Sequence, residues 1–206
     1  MDIQLDIPEG ASSIERWFAG MTEPLLLAVM GSLPISATIA LGRTSKRLAR
    51  VVRVYESRIW CFYRFLDPWM LNPKMLLVIM ELAAAVCSGL QSLRFLDRLG
   101  PDLSKPLMIY VRFAGAKSLA RHLLENGYFL EGTSTTTDGW KKAQRRVSCV
   151  GATLDPSAGG FRCLDQLHFM KTGPNGAVTM VNIIITNGDP IDYVVNTAAC
   201  SMLEVA

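Results

Sequence analysis

The sequence is poor in the residues that build metal sites and disulfide frameworks. It contains two histidines and five cysteines in 206 residues, and only 19% of its residues are charged. The cysteines are Cys61, Cys87, Cys149, Cys163 and Cys200, and no two of them form a Cys-x-x-Cys pair. This odd, scattered set is not a zinc site or a secreted disulfide framework. It favours reduced thiols in an intracellular protein, cytoplasmic or nuclear.

The amino terminus lacks the basic start of a secretory signal, because it carries Asp2 and Asp6 instead. One uncharged stretch, Pro24–Gly42, approaches the length of a membrane span. Pro34 and several hydroxyl side chains interrupt it, which makes a poor lipid-facing helix. We therefore expect core helices here and no membrane association.

Apolar residues are what the sequence has in quantity. They make up 50% of the chain, and the mean hydropathy is +0.26. Such a chain collapses around a core and is not disordered. The net charge of +3 is too small to indicate a nucleic-acid-binding protein by itself.

The hydrophobic pattern changes along the chain and predicts an α+β fold. Apolar residues step by three and four through the first third, as in the long pattern between Thr44 and Leu66. After Gly89 the pattern becomes that of strands and hairpins. We predict a helical segment over residues 1–75, packed on a mixed sheet of about four to six strands with flanking helices over 76–206.

Several elements of the second segment are predicted individually. Strands are expected over 107–113, 128–130, 166–171 and 178–186, with a turn at Gly173–Gly176. The spacing over 115–126 predicts a helix that ends at Gly127. A further strand is expected to follow Trp140 and run through Val150.

Residues 23–60 carry a leucine-rich stretch, a Leu-Pro pair and a closing tryptophan. These features lie at Leu25-Leu26-Leu27, Leu33-Pro34, Ile39-Ala40-Leu41, Thr44–Leu48 and Trp60. This arrangement resembles an F-box. The resemblance implies binding to the adaptor of a cullin-type ubiquitin ligase, through Leu25, Leu26, Leu33, Pro34, Leu41 and Trp60. The Leu-Pro pair precedes the second helix here, whereas in the family it precedes the first. A plain helical bundle is the alternative.

Residues 83–196 are similar to the core of the minimal nucleotidyltransferase superfamily. That core runs strand, Gly-Ser turn, helix and then a strand bearing Asp-x-Asp, with another carboxylate on a later strand. Clustered carboxylates of this kind hold the Mg²⁺ ions of two-metal catalysis. In this sequence the turn falls at Ser88-Gly89-Leu90 and the Asp-x-Asp position at Pro106-Leu107-Met108, while Asn182 stands near the third carboxylate position.

The metal-binding residues of that core are therefore missing. Leu90 replaces the serine of the turn, and Pro106 and Met108 replace both aspartates. Gly89, Leu90, Pro106 and Met108 would mark a degenerate former site. We predict no nucleotide transfer, no metal and no cofactor, and we expect apolar side chains to fill the surface beside Gly89 and Met108.

The whole chain also resembles a family of basidiomycete fungal proteins that join such a helical front to such a degenerate core. That family ends in Phe-His-Ser-Thr-x-x-Met-Asn, of which Val195–Met202 keeps only the threonine. The resemblance implies an architecture and no particular activity.

One basic segment suggests a second class of function. Lys141, Lys142, Arg145 and Arg146 follow Trp140 directly. Cations neutralise phosphates and an indole stacks on bases, so this segment is a candidate for binding nucleotides or RNA. The alternative is a solvated edge strand whose charges prevent aggregation. The main expectation is a non-catalytic interaction protein that binds a partner through its N-terminal helices; an unrecognised enzyme activity is a third alternative.

Overall fold

A computed structural model describes residues 10–152, 162–174 and 176–203. The chain divides into two compact units, Met1–Cys61 and Phe62–Ala206. The first unit is helical and the second contains a five-stranded mixed sheet with flanking helices. The predicted α+β fold is confirmed.

Four helices form the described part of the first unit. They are α1 (Ser13–Ala19), α2 (Glu23–Ser32), α3 (Ile35–Thr44) and α4 (Lys46–Ile59). Ser12 and Glu15 form a capping box that starts α1, and the Ser45 side chain caps α4. The core of this unit contains Phe18, Leu26, Met30, Leu48, Val51, Val52 and Tyr55. Burial of these side chains stabilises four short helices that would be only marginally stable in isolation.

The uncharged stretch of the first unit forms two helices rather than one. No single helix in the described residues is both long and apolar enough to cross a membrane. Helices α2 and α3 reach the length and apolar character of a membrane span only when they are taken together, and the chain bends by 119° between them.

The second unit alternates helices with strands. Its helices are α5 (Phe62–Leu66), α6 (Pro73–Leu82), α7 (Leu90–Leu96), α8 (Phe113–Glu125), α9 (Thr136–Ala152) and α10 (Pro190–Leu203). Its strands are β1 (Val86–Ser88), β2 (Leu107–Arg112), β3 (Phe129–Leu130), β4 (Cys163–Thr172) and β5 (Val178–Thr186). They are ordered β1-β2-β5-β4-β3. Only the pairing of β2 with β5 is parallel.

One face of the sheet carries the core. Alternate residues of the central strands, such as Ile109 on β2 and Ile183 on β5, are completely buried. Helix α8 contacts β2 and β5, helix α9 contacts β3 and β4, and the two helices contact each other. On the other face, the ring of Tyr110 lies 5.7 Å from that of Tyr193 in α10.

The strand predicted after Trp140 is wrong, because residues 136–152 form helix α9. The backbone N–H of Asp138 donates to Thr135 Oγ1 at 3.1 Å, which stabilises the first turn. Ala143 and Val147, four residues apart, are buried in the core of the unit. This tertiary burial outweighs the low helix propensity of the threonines and glycine at the start of the segment.

The division between the units lies nearer the amino terminus than the predicted boundary at residue 75. Helices α5 and α6 belong to the second unit because their apolar side chains enter its core. Leu66, Trp69 and Leu76 are each at most 1% exposed, and all three belong to the same cluster as the sheet residues.

Candidate functional site

The structure aligns the nucleotidyltransferase-like positions across the sheet. Ser88 pairs with Met108, Met108 with Asn182, and Asn182 with His168. Directly paired residues share a face, so these four side chains form one row. Gly89 follows β1 and is the N-cap residue of α7. Its φ of +80° lies in the region that favours glycine.

The chemistry of this row is not that of a metal site. It contains a hydroxyl, a thioether, an amide and an imidazole, whereas Mg²⁺ requires carboxylate and other oxygen ligands. Asn182 Nδ2 lies 3.6 Å from Met108 Sδ. No group of three or more His, Cys, Asp or Glu side chains with metal-site geometry occurs within the described part of the chain.

Three aspartates elsewhere in this unit have structural partners. Arg146 forms a bidentate ion pair with Asp165. The Asp102 carboxylate accepts hydrogen bonds from the hydroxyl and backbone N–H of Ser104, which hold its pKa below the usual value. Arg112 Nη2 lies 3.7 Å from Asp189 Oδ2 in an ion pair.

The surface beside Gly89 is only partly filled. Met108 Cγ lies 3.3 Å from the position that a Gly89 Cβ would occupy, so the methionine covers the turn closely. Leu90, however, is 46% exposed, and Pro106 is half-buried before β2. The expectation of a filled apolar surface does not hold at Leu90, which lies in the first turn of α7 and is exposed. At Met108, which is half-buried, it stays a prediction.

A groove lies elsewhere, between α8 and α9. One hollow of about 400 Å³ lies against Lys117, Arg121, His122, Trp140 and Gln144. A second hollow, of about 290 Å³, shares Arg121, Glu125 and Trp140 with the first and continues toward Thr136. We call these two hollows together the α8–α9 groove.

Because the basic segment predicted from sequence forms a helix, its four cations fall into two pairs with different environments. Lys142 Nζ donates to the Glu131 carbonyl at 2.8 Å, and Arg146 holds Asp165 and the Gln166 carbonyl. These two cations therefore serve the structure. Lys141 and Arg145 are exposed, one helical position before each of them.

Trp140 is half-buried in the wall of the groove beside a cation from another helix. The guanidinium carbon of Arg121 lies 4.8 Å from the centre of the Trp140 ring, which is cation–π distance. Lys117 and Arg121 of α8 were missed as candidate site residues. Their separation by four residues on the polar face of the predicted helix was the available signal.

His122 lies in the same groove but is 6% exposed. Burial lowers the pKa of the imidazole, and the nearby Glu125 opposes this in part. Burial therefore favours the neutral form of the ring. Asn126 Nδ2 lies 3.3 Å from His122 Nε2. His122 therefore adds a polar surface to the groove.

The F-box-like residues of the first unit have different environments. Leu26 is 3% exposed in the core, and Leu33 and Leu41 pack partly against that core. Leu25 is 52% exposed and Pro34 is also exposed, while Trp60 is half-buried at the end of α4. Of this set, Leu25 and Pro34 are exposed, while Leu26, Leu33 and Leu41 pack in or against the core.

Four large apolar side chains of this unit are exposed but were not predicted. Ile14 and Trp17 of α1 are 49% and 56% exposed, and they lie three residues apart. Ile35 and Ile39 of α3 are 40% and 42% exposed and lie four residues apart. Residues at these spacings share a helix face, so α1 and α3 each present an apolar strip.

Comparisons with protein-family models, curated protein sequences and solved structures found no match for this chain.

Proposed function

We propose that this protein is a non-catalytic interaction protein that binds a partner protein through helices α1–α3 of its N-terminal unit. The observation that carries the proposal is the exposure of Trp17, Leu25 and Ile39, each more than 40% accessible on a small helical unit. Exposed apolar side chains in such groups mark interaction surfaces, and tryptophan is enriched among the residues that dominate binding.

The partner that fits is an acidic protein with apolar side chains of its own. The same unit carries exposed cations at Arg43 of α3 and at Lys46, Arg50 and Arg53 of α4. Exposed cations on the unit that carries the apolar strips favour an acidic partner over a basic one. The F-box-like order of residues 23–60 suggests the adaptor subunit of a cullin-type ubiquitin ligase as this partner.

A binding role without catalysis is supported by the row across the sheet. A nucleotidyltransferase would need carboxylates where Met108 and Asn182 pair. Instead, the amide of Asn182 contacts the thioether of Met108.

A pull-down of the purified adaptor by the full-length protein tests this proposal. Replacing Leu25 and Ile39 together by serine removes two exposed apolar side chains while leaving the buried core intact. We expect the double variant to bind at least about tenfold more weakly, a loss of ~1.4 kcal/mol. The matched control is Leu82→Ser, which removes an 84% exposed leucine from the second unit; it should leave binding unchanged.

Two results would contradict the proposal. One is the absence of adaptor binding by the unmodified protein at micromolar concentrations. The other is an equal loss of binding by the double variant and by Leu82→Ser, which would indicate general stickiness. Thermal melting followed by circular dichroism verifies that each variant is folded.

A further inference from the structure

We propose that the α8–α9 groove binds single-stranded nucleic acid, at a site separate from the partner-binding helices of the first unit. Two cations of α8 and an aromatic side chain of α9 line the groove, and two further cations of α9 are exposed, each directly after a lining residue in the sequence. These residues are Lys117, Arg121, Lys141, Arg145 and Trp140.

The positive charge comes from two helices at once. Lys117 and Arg121 line the groove on α8. Lys141 and Arg145 lie exposed on α9, and neither forms an ion pair with another described residue. Glu125 lines both hollows of the groove, eight residues beyond Lys117 on α8, and repels phosphates near it. The phosphate backbone is therefore placed toward Lys117 and the exposed side of α9.

Trp140 supplies the stacking surface. Its ring is half-buried, and the guanidinium carbon of Arg121 lies 4.8 Å from the ring centre. This contact restricts the movement of the ring. A fixed ring loses little side-chain entropy when a base stacks on it, and every base has a face that can stack. Stacking requires an unpaired base, which favours a single strand over a duplex.

The length of the groove favours a strand over a free nucleotide. A third hollow, of about 390 Å³, shares Ile79 and Ser118 with the α8–α9 groove and extends to Arg112. The hollows thus follow α8 from Arg112 to Glu125, about 20 Å at 1.5 Å per residue. This distance is several times the ~3.4 Å spacing of stacked nucleotides.

Fluorescence anisotropy with the full-length protein tests the proposal. The probes are labelled oligouridylate and oligoadenylate of about 12 nucleotides, within the site sizes of such proteins. We expect K117Q/R121Q to weaken binding and to make the dependence of log K on log salt shallower by about 1.4, because two phosphate contacts are lost. The control R64Q/K105Q removes two exposed cations of the same unit that lie outside the groove.

Trp140 is tested by a second pair of variants. W140L should weaken binding by about tenfold, whereas W140F should retain most of it because phenylalanine also stacks. The chain has four tryptophans, so quenching of tryptophan fluorescence by the strand is assigned to Trp140 by its loss in W140F, which provides a readout independent of affinity. Melting curves separate a binding defect from unfolding.

Three outcomes would overturn the proposal. The first is an equal loss of affinity in K117Q/R121Q and R64Q/K105Q, which would show that only net charge matters. The second is a nucleoside triphosphate that binds as tightly as the strand, which would assign the groove to free nucleotides. The third is a duplex that binds as tightly as the single strand. None of these depends on whether the first unit binds its partner.

Discussion

An added side chain would be severely crowded at Gly115 in the second unit. A Cβ at this position would lie 2.5 Å from Ala83 Cβ and 2.9 Å from Val111 Cγ2. The Ala83 Cβ cannot move without its backbone, and the β-branched Val111 side chain has few χ1 rotamers into which it can turn. Helix α8 can therefore approach the end of α6 only because residue 115 has no side chain.

Gly115→Ala should lower the free energy of unfolding by about 1–3 kcal/mol, in spite of the better helix propensity of alanine. Urea unfolding followed by circular dichroism measures this change. The control is Gly100→Ala, where a Cβ meets nothing within 4 Å. Equal effects of the two substitutions would contradict a steric role for Gly115.

At the scale of elements, one ion pair attaches helix α9 to strand β4. Arg146 Nε donates to Asp165 Oδ2 at 2.8 Å, and its Nη2 donates to the other carboxylate oxygen and to the Gln166 carbonyl. Asp165 lies beside the irregularity in the β4–β5 register at Cys163/Asp165. The pair therefore fixes the helix at a point where the ladder is interrupted.

Arg146→Ala should cost about 1 kcal/mol of stability, since a bidentate, partly buried pair is worth more than an ordinary surface pair. Arg145→Ala, one position away and exposed, should change stability by less than ~0.5 kcal/mol. Parallel urea titrations of the two variants compare these values. A larger loss for Arg145→Ala would show that Arg146 does not anchor the helix.

Strands β2 and β5 could be predicted because their sequences are rich in β-branched residues, as in Ile183-Ile184-Ile185, and lack glycine and proline. Helix α9 could not be predicted in this way, because Thr135, Thr136 and Gly139 at its start have low helix propensity. Its helical state depends on burial of Ala143 and Val147 against elements distant in the chain.

The candidate groove was predictable only in part, for the same reason. Trp140 and its neighbouring cations stood out because they are adjacent in sequence. Folding as a helix turns Lys142 and Arg146 toward structural partners, and the contact between α8 and α9 brings Arg121 to Trp140. Sequence spacing alone does not contain that contact, because α8 and α9 are joined through the strand Phe129–Leu130.

At the scale of the whole molecule, the two units differ in how they are stabilised. The second unit has a sheet in which β5 lies between β2 and β4, and Ile183 and Ile185 are completely buried. The described part of the first unit has four helices of seven to fourteen residues. A unit of about 60 residues buries a smaller fraction of its surface than a larger one and is less stable.

Amide hydrogen exchange should therefore be slowest in β2 and β5 and fastest among the helices of the first unit. Helix α1 has seven residues and one buried side chain, Phe18. Local unfolding of this helix, which exposes its amides to exchange, should therefore cost little free energy. The amides of Ile183 and Ile185 should exchange only through global unfolding of the second unit, and their rates should follow the denaturant dependence of that unfolding. Exchange measured by mass spectrometry on peptic fragments, over a series of denaturant concentrations, compares the two regions in one experiment. If α1 and β5 exchanged at equal rates and with equal denaturant dependence, the chain would unfold as a single cooperative body, contrary to the difference in burial between its units.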